Sequence, residues 1–236
     1  MRINLNKIMR KDKSLLLAYD QGLEHGPSDL NERTVDPKYI FDIALEGLYD
    51  GIITQHGIAE KYYAKYYKDV PLIVKLNGKT SLANIAPISR QLCSVDRAIK
   101  LGAVAVGYTI YTGSPNEPDM FAEFSKIVEQ AHDYGVPVIA WMYPRGSGID
   151  EKNNNILAYS ARVGLELGAD MIKIKYNNDP EGFKWVVKCA ASTKVLVAGG
   201  DKVDETALSS KVRRNNEDRC YRNGRWEEMF GNTITL

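Results

Sequence analysis

The amino-acid sequence predicts an α/β fold in which parallel strands close into a barrel. Seven short, nearly continuous apolar runs alternate with segments of helical period along 236 residues, the pattern of strands buried on both faces and joined by helices. Polar residues and glycines gather at the carboxyl ends of these runs, where barrels and doubly wound sheets both place their sites. No G-x-G-x-x-G follows the first run, which favours the barrel over the doubly wound alternative. The length suits one such unit, since about 250 residues is typical of it.

The first run, LLLAYD at 15–20, ends in an acid where a strand meets a glycine-rich loop. Asp20 there is either a site carboxylate or the cap of the following turn. Apolar residues at helical spacing (Ile40, Ile43, Ala44, Leu48) predict a helix within 37–50, followed by a second strand at 51–54. A tyrosine-rich helix at 57–67 reads as core or as a contact between copies. The third strand, 71–76, supplies Lys75 as an inward-facing cation. The NGKTS that follows is not a nucleotide-binding P-loop, because the first glycine of GxxxxGKT would have to fall on Ile73.

A helix at 93–100 leads to a fourth strand at 102–109, and an amphipathic helix at 118–134 stops at Gly135. In the fifth strand, 136–143, alternation puts Trp141 and Tyr143 on one face. That pair reads as core packing, but beside an amine the phenol is a suitable proton donor and acceptor. A helix at 153–167, a sixth strand, a helix at 179–191 and a seventh strand at 194–198 complete the series. Gly199 and Gly200 then offer amides that could cradle a phosphate ahead of a helix.

The sixth strand, GADMIKIKY at 168–176, is the centre of the reading. Met171, Lys173 and Lys175 share one face, and Ile172 and Ile174 the other. Two ammonium groups on a buried face repel and resist desolvation, so the arrangement suits an amine nucleophile that forms a Schiff base. The plainer alternative is an edge strand with two solvated lysines. Lys175 is the local rival to Lys173.

Composition narrows the class. Thirty-one basic and 30 acidic residues leave a formal charge of +1, which gives no reason to expect nucleic acid or an acidic membrane as partner. Cys93, Cys189 and Cys220 are few and widely spaced, as expected in a reducing cytoplasm. No run approaches a membrane span and the basic start lacks a signal-peptide core, so a cytoplasmic protein is expected. Only His25, His56 and His132 are present, without ligand spacing, so no metal site and no metal-dependent chemistry is expected.

DQGLEHGP (20–27), GYTIY (107–111), YPRG (143–146) and GADMIKIKY (168–176) together resemble archaeal-type class I fructose-1,6-bisphosphate aldolases. The resemblance runs from about residue 10 to about residue 212 and its four motifs fall in the right order. It implies a (β/α)8 TIM barrel, a homo-oligomer, no cofactor, and aldol cleavage of a sugar-phosphate substrate in glycolysis and gluconeogenesis. It also implies Lys173 as the Schiff-base lysine, Tyr143 as general acid/base, and Trp141 and Asp20 as neighbours of the reaction. Arg145, with Gly199 and Gly200, would hold or face phosphate; Lys75 and Lys175 are further candidates to contact the substrate. In cleavage, the phenolate of Tyr143 would take the C4 hydroxyl proton. A related aldol or transaldol synthase of the heptulosonate type is the chemical alternative, and an inactive relic the non-enzymatic one.

The expected domain limits are a barrel over 1–211 and an aberrant polar tail over 212–236. Residues 212–226 are dense in Arg, Asn and acids with no apolar period, so the eighth helix and strand are expected to be missing or disrupted. Translated in shifted frames with permitted codons, the tail yields LEEIMKIGATGMA and GRNVWQY, which resemble the family's missing helix, strand and phosphate loop. The expected cause is a frameshift or sequencing error, and resequencing codons 205–236 decides it. An open barrel would expose strand edges and apolar interior and lose half of a phosphate site.

Overall fold

The computed structural model describes residues 3–47, 49–198 and 233–235. Its centre is an eight-stranded parallel sheet built from β1 (Leu16–Tyr19), β2 (Gly51–Gln55), β3 (Leu72–Lys75), β6 (Ala103–Ile110), β7 (Val138–Met142), β8 (Met171–Lys175), β9 (Lys194–Ala198) and β10 (Thr233–Thr235), hydrogen-bonded in that order. A two-stranded hairpin, β4 (Asn77–Gly78) with β5 (Arg90–Gln91), is inserted after β3. The helices are α1 (Gly22–His25), α2 (Pro37–Glu46), α3 (His56–Tyr62), α4 (Val95–Lys100), α5 (Glu117–Asp133), α6 (Asn154–Glu166) and α7 (Pro180–Cys189). The seven expected strands are all present. An eighth, β10, is described over three residues beside β9, and among the described residues no ladder joins it to β1. The expected domain boundary at 211/212 lies outside the described residues.

Local chemistry explains the helix starts. Asp36 caps α2 through Lys38 N, Ser94 caps α4 through Arg97 N, Asn153 caps α6, and Asp179 caps α7 through Gly182 N, each accepting from an amide that the helix cannot satisfy itself. Proline occupies the first turn of α2, α5 and α7, where its missing N–H is harmless. The tyrosine-rich segment splits: Tyr63 and Tyr66 are core, donating to Val70 O at 2.8 Å and Asp42 Oδ1 at 2.7 Å, while Tyr67 is exposed.

The continuous apolar runs bury both faces. Ile52, Val74, Val106, Ala140, Ile172 and Val195 meet the helices together with Phe41, Phe124 and Phe183. The alternate residues Ile53, Ile73, Ala105, Ile139, Met171 and Leu196 fill the barrel interior, with Ile8 and Met9 joining them from the amino-terminal segment. Strand alternation thus carries Lys173 inward along with Met171, as its sequence spacing predicts. The inner positions toward the carboxyl ends are where the apolar filling stops and the polar residues begin.

Candidate active site

Neighbouring strands set the inner layer at this end. Gln55 pairs with Lys75, Lys75 with Gly107, and Trp141 with both Thr109 and Lys173. Asp20 follows β1, and Tyr143 stands two residues beyond Trp141, its amide bonded to Ile110 O at 3.0 Å. The strand ends therefore bring Asp20, Lys75, Trp141, Tyr143 and Lys173 into one small region.

Lys173 is 6% exposed. Burial is the main reason that its amine sits below the ordinary lysine value; the charge on Lys75 pushes the same way and Asp20 opposes it. Lys175, on the same strand face, has reached solvent. Its side chain is 48% exposed and its Nζ pairs with Glu151 at 3.1 Å. Two residues of chain decide between the rival lysines, because one lies inside the barrel wall and the other above its rim. The cation that bears on Lys173 is Lys75 from β3, not its strand neighbour.

Trp141 lies near both amines, with Lys75 Nζ 5.1 Å and Lys173 Nζ 5.4 Å from its ring centroid, both within cation–π range. Gly107 makes room for the indole: a Cβ there would lie 2.0 Å from Trp141 Cζ3. Trp141 Nε1 is buried and has no hydrogen-bond partner among the described residues. Lys75 Nζ lies 3.4 Å from Asp20 Oδ2, both side chains nearly buried. Burial, and then the charge on Asp20, push the Tyr143 phenol well above its ordinary value. The resting group is therefore the phenol, so the phenolate expected in cleavage would have to form during the reaction. A cation formed beside it, such as an imine, would favour its ionisation.

Arg145 is set by its amide, which donates to Thr112 O at 2.9 Å. Its guanidinium donates to Glu24 Oε1 at 2.8 Å and stacks 4.9 Å from the Tyr111 ring. Lys79 reaches the same carboxylate at 3.5 Å, and Tyr111 OH lies 3.3 Å from both of its oxygens. Burial alone would raise the Glu24 carboxyl, but Arg145, Lys79 and Lys75 hold it below its usual value. Sequence reasoning did not single out Glu24, Tyr111, Lys79 or Gln55. Glu24 and Tyr111 lie inside two of the motifs quoted above, which was the available signal. Gly199 and Gly200 lie outside the described residues. His132 Nε2 lies 2.9 Å from Asp170 Oδ2, away from this layer. Among the described residues no group of three or more His, Cys, Asp or Glu could hold a metal ion.

An amine held below its ordinary value, in a strand layer that also carries a phenol, can attack a carbonyl and move protons around the product. Known proteins agree with that chemistry. The model of the DeoC/LacD family of aldolases matches residues 14–224. The class 1 fructose-bisphosphate aldolase of Thermoproteus tenax is 50% identical over 196 residues, 82% of this chain and 73% of that protein. The fructose-bisphosphate aldolase/6-deoxy-5-ketofructose 1-phosphate synthase of Methanocaldococcus jannaschii is 38% identical over 219 residues, 86% of this chain and 70% of that one. Among solved structures, an archaeal fructose-1,6-bisphosphate aldolase whose catalytic lysine is covalently bound to the carbinolamine intermediate of its substrate superposes with a TM-score of 0.84. It is 42% identical, and the match covers 98% of this chain and 89% of that one. With its buried inner lysine, its barrel and a family match over most of its length, the chain belongs to the DeoC/LacD family of aldolases.

Proposed function

We propose that the protein is a class I, Schiff-base-forming aldolase that cleaves fructose 1,6-bisphosphate to dihydroxyacetone phosphate and glyceraldehyde 3-phosphate, and forms it in reverse. The observation that carries this is the inward, 6% exposed Lys173 against the Trp141 ring, on the strand paired with the one that Tyr143 follows; the relatives named fructose-bisphosphate aldolase supply the substrate. In this reading Lys173 Nζ attacks the ketose C2, the carbinolamine loses water, and the resulting iminium draws in the electrons of the C3–C4 bond. The iminium beside it favours loss of the Tyr143 phenol proton to water, and the resulting phenolate takes the C4 hydroxyl proton as the C3–C4 bond breaks and the aldehyde leaves. The enamine takes a proton at C3, and water then adds to the imine carbon to release dihydroxyacetone phosphate and free Lys173.

Asp20 and Trp141 shape this centre, and Arg145 receives a phosphate by exchanging Glu24 for it. Lys175 would contact substrate only by leaving Glu151. The assignments to Gly199 and Gly200, and the division into 1–211 and 212–236, belong to the same proposal. So do a cytoplasmic location and self-association. The absence of a helix long and apolar enough to cross a membrane among the described residues supports the first, and exposed Tyr67, Tyr159 and Trp185 support the second.

Borohydride reduction in the presence of dihydroxyacetone phosphate tests the reading. The expected result is a stable adduct on the wild-type chain and none on Lys173→Met; an unlabelled wild type or a labelled variant overturns it. A second reading, synthesis of 6-deoxy-5-ketofructose 1-phosphate, rests on the bifunctional Methanocaldococcus relative. It uses the same imine, so product analysis separates the two.

A further inference from the structure

Four segments far apart in the chain meet in one ion cluster at the carboxyl ends of the strands, and two cations there share one carboxylate. Glu24 stands in α1. Arg145 Nη1 donates to its Oε1 at 2.8 Å, Lys79 Nζ lies 3.5 Å from the same oxygen, and Tyr111 OH lies 3.3 Å from both oxygens. The Tyr111 ring backs both cations, its centre 4.9 Å from the guanidinium and 5.9 Å from the ammonium.

Lys79 comes from the NGKTS stretch after β3, which forms no nucleotide loop and instead presses against α1. Ser81 N donates to Glu24 O at 3.1 Å, and a Cβ on Gly78 would lie 2.3 Å from Leu23 Cδ2. Glycine at 78 therefore lets the two loops approach closely enough for Lys79 to meet Glu24. The side chains of Lys79, Glu24 and Arg145 are 24, 26 and 31% exposed, so a ligand can reach them although most of their surface is shielded from water. Arg145 stands two residues beyond Tyr143, and Arg145, Glu24 and Tyr111 all bear electrostatically on that phenol. Tyr143 takes the C4 hydroxyl proton in the proposed cleavage, so the half of the substrate on this side is the one that leaves as the aldehyde.

A tethered carboxylate competes with incoming anions at an effective concentration of roughly millimolar or above. A monoanion offers Arg145 and Lys79 only the charge that they already hold, and the exchange gains nothing. A phosphate dianion offers twice that charge, three acceptor oxygens and a bidentate fit to the guanidinium. A neutral hydroxymethyl group leaves Glu24 paired.

We propose that Glu24 is a specificity-determining residue: a built-in anion that occupies the Arg145–Lys79 pair and yields it only to a dianionic group on the aldehyde half of the substrate, with Lys79 as the second cation of that exchange. The inference rests on the aldolase reading and adds to it what sets the choice of acceptor. The state of Glu24 agrees, since Arg145, Lys79 and Lys75 hold its carboxyl below the usual value against the effect of burial and so keep it an anion.

The test is aldol condensation by the full chain with saturating dihydroxyacetone phosphate, comparing glyceraldehyde 3-phosphate with glyceraldehyde as acceptor. The readout is the ratio of the two kcat/KM values. Glu24→Gln keeps the size and removes the charge, and is expected to raise the ratio about tenfold, the low end for a charge-assisted contact because this one is partly open to water. Acetate at constant ionic strength, without effect on the wild type, should then compete with glyceraldehyde 3-phosphate in the variant. Lys79→Met should lower the ratio about tenfold, and Lys79→Arg should keep it near the wild-type value.

A ratio that falls in Glu24→Gln overturns the proposal and makes Glu24 a support that holds Arg145 in place; an unchanged ratio overturns it as well. Acetate that inhibits the wild type as strongly as the variant has the same force. Should Glu24→Gln not fold, an unchanged ratio in Lys79→Met decides against the proposal. A wild type that forms no product from dihydroxyacetone phosphate and glyceraldehyde 3-phosphate overturns the aldolase reading and this inference together, whereas an active wild type with unmoved variants confines the failure to Glu24.

Discussion

Replacing Gly107 by alanine puts a methyl group into space that Trp141 already fills. The added carbon would lie 2.0, 2.2 and 3.1 Å from Cζ3, Cη2 and Cε3 of the indole, against about 3.5–4.0 Å for carbons in contact. The ring must therefore retreat by about 1.5 Å. It has little room to do so, because Trp141 is fully buried and its ring lies against both lysines. Overpacking of this kind costs about 1–3 kcal/mol. Alanine returns about 0.4–1 kcal/mol by restricting the unfolded chain. The expected net loss is about 1–2 kcal/mol, which at this chain length lowers Tm by about 2–8 °C.

Gly57→Ala is the matched control, since among the described residues nothing lies within 4 Å of its added carbon. It should melt at or slightly above the wild-type temperature. The assay is thermal unfolding followed by tryptophan emission, with borohydride labelling of Lys173 on the folded protein. Labelling should slow in Gly107→Ala and not in Gly57→Ala. If Gly107→Ala keeps both its Tm and its labelling rate, the indole is not held where the structure puts it, and the reasoning about the amine pair falls too.

Tyr143→Phe should still form the trapped adduct with dihydroxyacetone phosphate but lose about 100–10,000-fold in cleavage of fructose 1,6-bisphosphate, as expected for removing a general acid/base. Parallel labelling and cleavage assays read the two steps apart, and equal losses in both would refute the assigned role. Asp170→Ala tests the other end of β8. Asp170 Oδ2 accepts from Val138 N at 2.8 Å and lies 2.9 Å from His132 Nε2, so its loss should lower stability by about 1–3 kcal/mol. Urea unfolding measures this, and the labelling rate of the folded variant should be unchanged.

The strand series was legible in the sequence because burial on both faces leaves a continuous apolar run, and seven such runs are hard to mistake for anything but a parallel sheet. Tyr63 and Tyr66 were less so. Whether a tyrosine-rich helix face lies inside or against another copy depends on what the chain packs over it, and here Phe41 and Asp42 of α2 close it. The β4–β5 hairpin left no pattern to read, being two residues a side. Glu24 was hidden because its partners, Arg145 and Tyr111, lie about 90 to 120 residues away in the chain, and no local spacing records such a meeting.

On its own, then, the sequence determined the architecture, the shared strand face of Lys173 and Lys175, and the four motifs that mark the family. Those properties follow from period-two alternation and local composition, which need no partner to be visible. Only the tertiary structure decided which lysine is buried, which distant cation bears on it, and that a glycine on a neighbouring strand makes the space for the indole near both. Charge and exclusion of water act through space. Residues 75, 107, 141 and 173 become neighbours only when the sheet curls and brings the ends of β3, β6, β7 and β8 together.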